Sequence, residues 1–366
     1  AGIIIGPSLL GWVEPSNIIK LLAEIGIILL LFKVGLETDI KRLADSGKKS
    51  ILVAVTGFSL PLILGFSISF WLFSIPLLES LFIGGTLTAT SIGITVRVLK
   101  DLKLSDSHEG NIVLGAAVLD DILGVMLLAL LYEFSIGGGI NWLNAGKVLV
   151  FIIAFFALAP ILAKLMSLII RRFQVISGIS GLIPTMIVSL VLFFAWLAHI
   201  IGAPELLGGF AAGLALSRRF FLPLGVNLHS DARFAKNIHR QMRPIISLFT
   251  PIFFVLIGLS IDLHAIDWSS SYIWGFSLAL FGIAVISKMA GAFFINESRG
   301  SRYLIGISMI PRGEVGLIFA ELGKLSGFFN NETHASLIIV IILTTILPPF
   351  AMKWLQKTYS HTFNNS

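Results

Sequence analysis

The sequence contains no cysteine and few charged residues. Without cysteine the chain has neither disulfides nor thiol chemistry, so its redox compartment stays open. Charged residues make up 13% of the chain and hydrophobic residues 56%, whereas soluble domains carry about 25% charged residues. The apolar runs are long and unbroken, as in residues 51–73 and 148–170. The chain is therefore predicted to be an all-α polytopic membrane protein.

The sequence also lacks a phosphate-binding loop, a metal-ligand cluster and a nucleophile with a plausible base. Neither an enzyme nor a bound cofactor is expected. The net charge of +6 lies in loops, which indicates topology and lipid contact rather than nucleic-acid binding. Residues 222–242 are basic and partly apolar, so they are a candidate contact with anionic lipid at the inner surface.

Twelve candidate spans of about 20 apolar residues follow one another along the chain. The chain begins inside an apolar run at Ala1, so the first span is expected to be the remnant of a longer one. The predicted spans cover residues 1–13, 18–37, 50–73, 78–99, 111–134, 147–170, 181–201, 204–221, 243–262, 270–295, 303–325 and 333–355.

Lysine and arginine concentrate in every second loop. Basic residues follow the second, fourth, sixth, eighth, tenth and twelfth spans, and the other loops are almost free of them. Because basic loops face the cytoplasm, the carboxyl terminus is predicted to be cytoplasmic.

Two adjacent acids, Asp120 and Asp121, lie near the middle of the fifth predicted span. An ionised aspartate at the centre of a membrane helix costs about 3 kcal/mol or more. Such acids usually mark a functional site that faces the protein interior or a water-filled cavity. The alternative is a structural pair with a buried base. Both interpretations hold if each aspartate takes one role.

Two predicted spans contain residues that interrupt a helix. The fourth span holds Thr88 and Ser91 in a glycine- and threonine-rich stretch, and the eleventh holds Pro311, Arg312 and Glu314 among glycines. The loop charges give these two spans opposite directions, at matching places in two halves of the chain. Inverted-topology repeats with two broken, crossing helices are therefore predicted, and hydroxyls and freed carbonyls there are potential cation ligands. The alternative is that Pro311 only kinks a helix.

A buried base is expected opposite the acids. Lys288 lies about 10 Å from the inner end of the tenth span, and the aspartates lie about 14 Å from the same side. These depths are compatible with a salt bridge, although a lysine stem can also reach the interface. Adjacent helical residues point about 100° apart, so one aspartate can pair while the other faces a cavity. Arg312 and Glu314 are predicted to neutralise half-helix ends, with ion selection as the alternative.

The chain resembles bacterial monovalent cation:proton antiporters of the NapA and Kef branch, above all NapA-type sodium/proton antiporters. The resemblance covers nearly the whole chain and rests jointly on residues 1–11, 34–38, 88–91, 119–121 and 309–316. It implies the NhaA/NapA-like antiporter fold, a homodimer in the bacterial inner membrane and an elevator-like movement of a core domain. The implied domains are dimer-domain spans in residues 1–49 and 179–263, core-domain spans in residues 50–134 and 270–357, and a linker span in residues 147–170.

By this resemblance Asp121 carries the cation and the proton, Asp120 pairs with Lys288, and Thr90 is a helper ligand. Asp120 favours the sodium branch, because Kef-type potassium systems typically have glutamine there. The implied function is electrogenic exchange of Na⁺ or Li⁺ for H⁺ by competition at Asp121, with a part in pH homeostasis. A K⁺/H⁺ antiporter of the same fold and a gated cation channel are the alternatives. His108, near the inner mouth, is a candidate sensor of cytoplasmic pH.

Overall fold

The described residues of the computed structural model are helical apart from short connections. They are residues 1–37, 40–105, 107–136, 146, 150, 182–200, 205–217, 232–260, 263–264 and 266–358, without the side chains of 40–46, 92, 182, 232–237, 314 and 358. The α-helices are α1 (Gly2–Ile5), α2 (Asn17–Glu37), α3 (Ile40–Ser67), α4 (Leu77–Thr86), α5 (Ile92–Asp101), α6 (His108–Ile136), α7 (Leu182–Ile200), α8 (Glu205–Leu216), α9 (Ala232–Ser260), α10 (Ser271–Phe293), α11 (Arg299–Ser308), α12 (Glu314–Leu325) and α13 (Asn331–Thr358).

Six described helices are long and apolar enough to cross a membrane. They cover Gly47–Leu72, His108–Ser135, Ile183–Ile200, Ile238–Ser260, Ser271–Phe293 and Asn331–Lys357. The first of these begins at Gly47, whose φ of 67° kinks α3, and it ends in a π-helical turn, Ile68–Leu72. These helices agree with predicted spans, and the predicted all-α polytopic fold class is confirmed.

The chain divides into two compact units. The first unit comprises Ala1–Lys41 and Tyr132–Leu263. Its helices α2 and α8 approach through small residues: a Cβ on Gly213 would lie 1.9 Å from the Phe32 carbonyl oxygen, and one on Gly35 would lie 2.1 Å from that of Phe210. Such close backbone contact is how membrane helices gain packing energy in the absence of water.

The second unit comprises Arg42–Leu131 and His264–Ser366. Its apolar core joins residues of α3, α5, α6, α10, α11 and α13, among them Val53, Leu99, Ile112, Ala292 and Met352. This unit contains both predicted helix breaks, both aspartates and Lys288. The assignment of core, dimer and linker domains to the chain stays a prediction.

Both breaks lie where glycine, proline and hydroxyl residues predict them. The fourth predicted span is two half-helices, α4 and α5, separated by residues 87–91, and the eleventh is α11 and α12, separated by residues 309–313. Prolines elsewhere do not end their helices: α3 continues through Pro61, and α9 through Pro244 and Pro251. Pro311 therefore does more than kink a continuous helix.

Two predicted span boundaries are wrong, and other predictions concern residues outside the described ranges. Within the first predicted span only α1 is helical, since Gly6 already has extended backbone. The ninth span starts earlier than predicted, because α9 begins at Ala232, so the second half of the basic stretch 222–242 continues directly into a membrane helix. The first half of this basic stretch and the predicted span 147–170 lie almost wholly outside the described residues.

Candidate ion-binding site

The two unwound segments satisfy each other's backbone groups. The amide of Ser91 donates to the carbonyl of Pro311 at 2.8 Å, and a Cβ on Gly313 would lie 2.5 Å from the Ser91 hydroxyl oxygen. Only a glycine allows this approach. Backbone outside a helix is tolerated at membrane depth where protein supplies its hydrogen bonds, and here each break supplies those of the other.

Threonine hydroxyls complete this arrangement. Thr88 donates to the Gly85 carbonyl at 2.7 Å, which satisfies a carbonyl at the end of α4. Thr90 donates to the Met309 carbonyl at 3.1 Å, and Thr95 donates to the Ser308 carbonyl at 2.8 Å. A hydroxyl that gives its proton to a carbonyl keeps its lone pairs for another partner. The Thr90 oxygen therefore keeps lone pairs for a further partner.

Arg312 is fully buried at the second break. Its Nη1 donates to the Ala89 carbonyl at 2.9 Å, close to the carboxyl end of α4, where the helix dipole is negative. Its own carbonyl accepts from Thr345 of α13 at 2.7 Å. Its Nε and Nη2 have no hydrogen-bond partner among the described residues. Asp120 lies within electrostatic range of the guanidinium.

Asp120 and Lys288 form a buried salt bridge. Lys288 Nζ lies 3.0 Å from Oδ1 and 2.9 Å from Oδ2 of Asp120, and both side chains are 0% exposed. The lysine stem packs against α3, since its Cδ is 3.7 Å from the Cβ position of Gly57. Lys288 therefore points into the unit, and the alternative in which it reaches the membrane interface is wrong for this structure.

Asp121 is buried beside Asp120 in the same unit. It is 3% exposed and lies within electrostatic range of Lys288. Adjacent residues of a helix point about 100° apart, so Asp121 is turned away from the direction in which Asp120 meets Lys288. Gly124, one turn further along α6, lies near the first turn of α12, since its Cβ position is 3.8 Å from Cγ1 of Val315.

The remaining predicted residues lie at different places. Glu314 is the first residue of α12, and its side chain lies outside the description. His108 is exposed at the start of α6, and its Nε2 lies 2.8 Å from Oε1 of Glu297. Lys49 bonds the same oxygen. Burial favours the neutral form of Glu297, but hydrogen bonds from Lys49 and His108 outweigh it and hold the pKa of this carboxyl below its usual range.

Sequence reasoning missed several residues that build the site. Thr95, Ser308 and Thr345 tie the breaks together, and Glu297 joins His108 to Lys49. Their partners are 33 to 248 residues away in the chain, so local periodicity carries no signal for them.

Comparison with known proteins points to one family. Residues 1–357 match the family described as "Sodium/hydrogen exchanger, transmembrane". The chain is 34% identical to the Na(+)/H(+)-K(+) antiporter GerN of Bacillus cereus, over 96% of this chain and 87% of the relative. It is 32% identical to the high-affinity Na(+)/H(+) antiporter NhaS3 of Synechocystis, over 94% and 72% of the two chains.

A solved structure shares the fold. The sodium proton antiporter MjNhaP1 of Methanocaldococcus jannaschii superimposes with a TM-score of 0.65 at 16% identity, over 99% of this chain and 89% of that chain. At this identity the likeness shows the fold alone. The predicted antiporter fold is confirmed.

Neutralising one member of the Lys288–Asp120 pair is expected to destabilise the protein by about 3–5 kcal/mol, because the other charge stays buried without its partner. Thermal unfolding of purified Asp120→Asn and Lys288→Met protein in detergent measures this loss. The double variant Asp120→Asn/Lys288→Met is the matched control and should recover most of it, since no unpaired charge is left. Losses that simply add in the double variant would contradict a direct ion pair.

Proposed function

Since the chain belongs to the sodium/hydrogen exchanger family, we propose that it exchanges Na⁺ or Li⁺ for H⁺ across the bacterial inner membrane. Family membership makes the chain a transmembrane cation/proton antiporter, a transporter rather than an enzyme, with transported ions and no cofactor. The resemblance inferred from the sequence is confirmed at this level. The name of GerN includes K⁺ as well as Na⁺, so K⁺/H⁺ exchange by the same site is the second candidate.

The observation that carries the proposal is the division of labour between the two aspartates. Lys288 binds both carboxylate oxygens of Asp120, whereas Asp121, the next residue of α6, is buried and turned about 100° away. A buried carboxylate takes up either a proton or a cation, because each neutralises the same charge. Competition at Asp121 couples the two fluxes, and this coupling distinguishes an antiporter from a gated channel.

The oxygen ligands of the cation come from the break. Sodium is a hard cation that prefers oxygen, and we assign Asp121 and Thr90 as its protein ligands, with carbonyls and water completing the shell. The orientation of the Thr90 hydroxyl supports this assignment. Thr88, Ser91, Pro311 and Arg312 hold the crossing in place. Glu314, as the first residue of α12, is assigned to the positive end of that half-helix.

Two protons per sodium ion would make the exchange electrogenic. Asp121 and Arg312 are within electrostatic range of Lys288. With Asp121 protonated and Lys288 charged, Asp120, Lys288 and Arg312 leave one net positive charge on the site. Sodium bound to ionised Asp121, with Lys288 neutral, leaves no net charge, so each sodium ion is exchanged for one proton from Asp121 and one from Lys288.

The larger movements follow from the resemblance. We assign elevator-type alternating access to a core domain of residues 50–134 and 270–357, a dimer domain of residues 1–49 and 179–263, and a linker in residues 147–170. The protein acts as a homodimer with a cytoplasmic carboxyl terminus, and residues 222–242 contact anionic lipid. Native mass spectrometry of the purified protein tests the dimer and the bound lipid; a monomer without lipid would contradict both.

Replacement of Asp121 by Asn is expected to abolish Na⁺/H⁺ exchange in proteoliposomes, because the amide binds neither a proton nor a cation with useful affinity. Proton flux against Na⁺, Li⁺ and K⁺ measures this and also decides the ion. Asp267→Asn, which removes an exposed loop acid, is the matched control and should keep full activity. Normal exchange by Asp121→Asn would overturn the assignment.

A sodium jump on a solid-supported membrane is expected to give a transient current, because net charge crosses with each cycle. Lys288→Gln removes the second proton site, so its current should fall toward zero while any remaining exchange is electroneutral. A wild-type protein that exchanges ions without current would contradict the role of Lys288 as a proton carrier.

His108 is expected to shift the dependence of exchange on cytoplasmic pH. Imidazoles gain their charge between about pH 8 and pH 5, and a charged His108 competes with Lys49 for the same Glu297 oxygen. His108→Gln should flatten the pH profile across this range without changing the maximal rate. Exchange rates at fixed external pH and varied internal pH measure it. An unchanged pH profile in His108→Gln would contradict a regulatory role for His108.

A further inference from the structure

A second acid–base pair is buried between α12 and α13. Glu321 Oε2 lies 3.5 Å from Nε2 of His334, and their side chains are 5% and 2% exposed. The other histidine–carboxylate pairs of the described residues contain His108, His199 and His239, whose side chains are 45% to 66% exposed. Histidine and glutamate are seldom buried together without a reason.

The contact has room to tighten. Nε2 of His334 has no hydrogen-bond partner among the described residues, and buried polar atoms normally have one. Hydrogen bonds between an imidazolium and a carboxylate are about 2.7–2.9 Å long, whereas this pair is at 3.5 Å. A proton on His334 Nε2 gives that nitrogen a partner and the carboxylate a counter-charge.

The pair joins the broken helix to its neighbour. Glu321 lies two turns beyond Glu314, about 10 Å along α12 by the helical rise, and His334 lies in the first turn of α13. Nearer the break, α13 is also attached by the Thr345 hydroxyl, which donates to the Arg312 carbonyl. The loop charges predict that this end of the unit faces the outside.

Among the surrounding basic groups, His334 is the one whose ring nitrogen contacts the Glu321 carboxylate. Lys324, one turn away on α12, is within electrostatic range of Glu321, but its Nζ donates to Asn331 Oδ1 at 2.6 Å and to the Phe329 carbonyl at 3.4 Å. From α4 and α10, Glu79 and Tyr272 hydrogen-bond Thr333 rather than His334. Glu332 precedes Thr333 and His334 on α13 and is near Tyr272.

Helices α5 and α11 also pack against α13. The charged residues of these two helices lie between the breaks and the predicted inner end, away from His334; they are Arg97, Lys100, Asp101, Arg299 and Arg302.

We propose that Glu321 and His334 form a second proton-binding site, separate from the two aspartates, that fastens the outer half of the broken helix to α13. The ligand is a proton from the external water, which binds Nε2 of His334. With the proton bound, imidazolium and carboxylate form a buried ion pair. Without it, the contact loses the attraction between imidazolium and carboxylate and loosens. The stabilisation is therefore present at low pH and is lost as the pH rises through the imidazole range, about pH 5 to 8.

A double-mutant cycle tests the pair without transport. Thermal unfolding of purified wild type, Glu321→Gln, His334→Gln and the double variant is compared at about pH 5.5 and about pH 8.5, on either side of the imidazole range. The coupling between the two positions should change the unfolding equilibrium by about tenfold at low pH and by less than about twofold at high pH. Coupling of equal size at both values would reduce the pair to packing and overturn the proposal.

The exposed pair of His199 and Glu205, at 2.6 Å, is the matched control. The same cycle with His199→Gln and Glu205→Gln should show little coupling at either pH, because solvent screens an exposed pair. Hydrogen–deuterium exchange at the imidazole C2 carbon of His334, read by mass spectrometry, is an independent readout. The pH dependence of its rate should differ between wild type and Glu321→Gln. The same pH dependence in both proteins would contradict the pairing.

Only the predicted effect on ion exchange rests on the proposed function. External acidification should slow exchange by wild type more than by His334→Gln, because the closed pair restrains α12. The coupling by thermal unfolding should persist in an Asp121→Asn background. If that background keeps the coupling but no wild-type exchange is found, the proposed function fails and the second proton site stands. Loss of the coupling in an otherwise stable Asp121→Asn protein would show that the two sites are one.

Discussion

Unwound backbone inside a membrane protein needs hydrogen-bond partners from the protein, because lipid offers none. In this chain two breaks meet, and each closes the other: Ser91 to Pro311, Thr95 to Ser308, and Arg312 to Ala89. This constraint explains why threonine and serine recur between residues 86 and 95 of an otherwise apolar span. It also fixes the directions of their hydroxyls, as in the bond from Thr90 to the Met309 carbonyl. In the proposed function, this fixed direction lowers the cost of ordering Thr90 around a cation.

The second constraint is charge neutrality in a place that water does not reach. Asp120 and Lys288 are both fully buried, and Arg312 is fully buried near them. A lone charge there would cost several kcal/mol, so the second aspartate is what balances the second base.

Much of this arrangement could be predicted from the sequence, because its signals lie within single spans. Both breaks were predictable to within a few residues, because glycine, proline and charge in an apolar run conflict with a continuous helix. The pairing of Lys288 with one aspartate followed from matching depths. Which of the two adjacent aspartates it binds depends on the rotation of α6 about its axis, for which the sequence has no local signal, so Asp120 was named by the family resemblance alone. The contacts of Thr345, Glu297 and His334 join distant parts of the chain and have no periodic signal. The early end of α1 and the early beginning of α9 were missed because apolar periodicity does not locate helix ends.

Helix α13 contacts the second broken helix at two different depths in the second unit. It carries His334 in its first turn and Thr345 about 16 Å further along by the helical rise, so it contacts α12 both far from the break and at the break itself. Pro348 and Pro349 follow, and proline removes hydrogen bonds from the helix ladder. The outer part of α13 is therefore one continuous rod up to the break, while the turn that carries Gln356, bonded to the Leu102 carbonyl at 2.7 Å, is joined to it less stiffly. In the proposed second proton site, a proton bound at His334 therefore acts on Arg312 through this continuous stretch of helix, because Thr345 further along it donates to the Arg312 carbonyl.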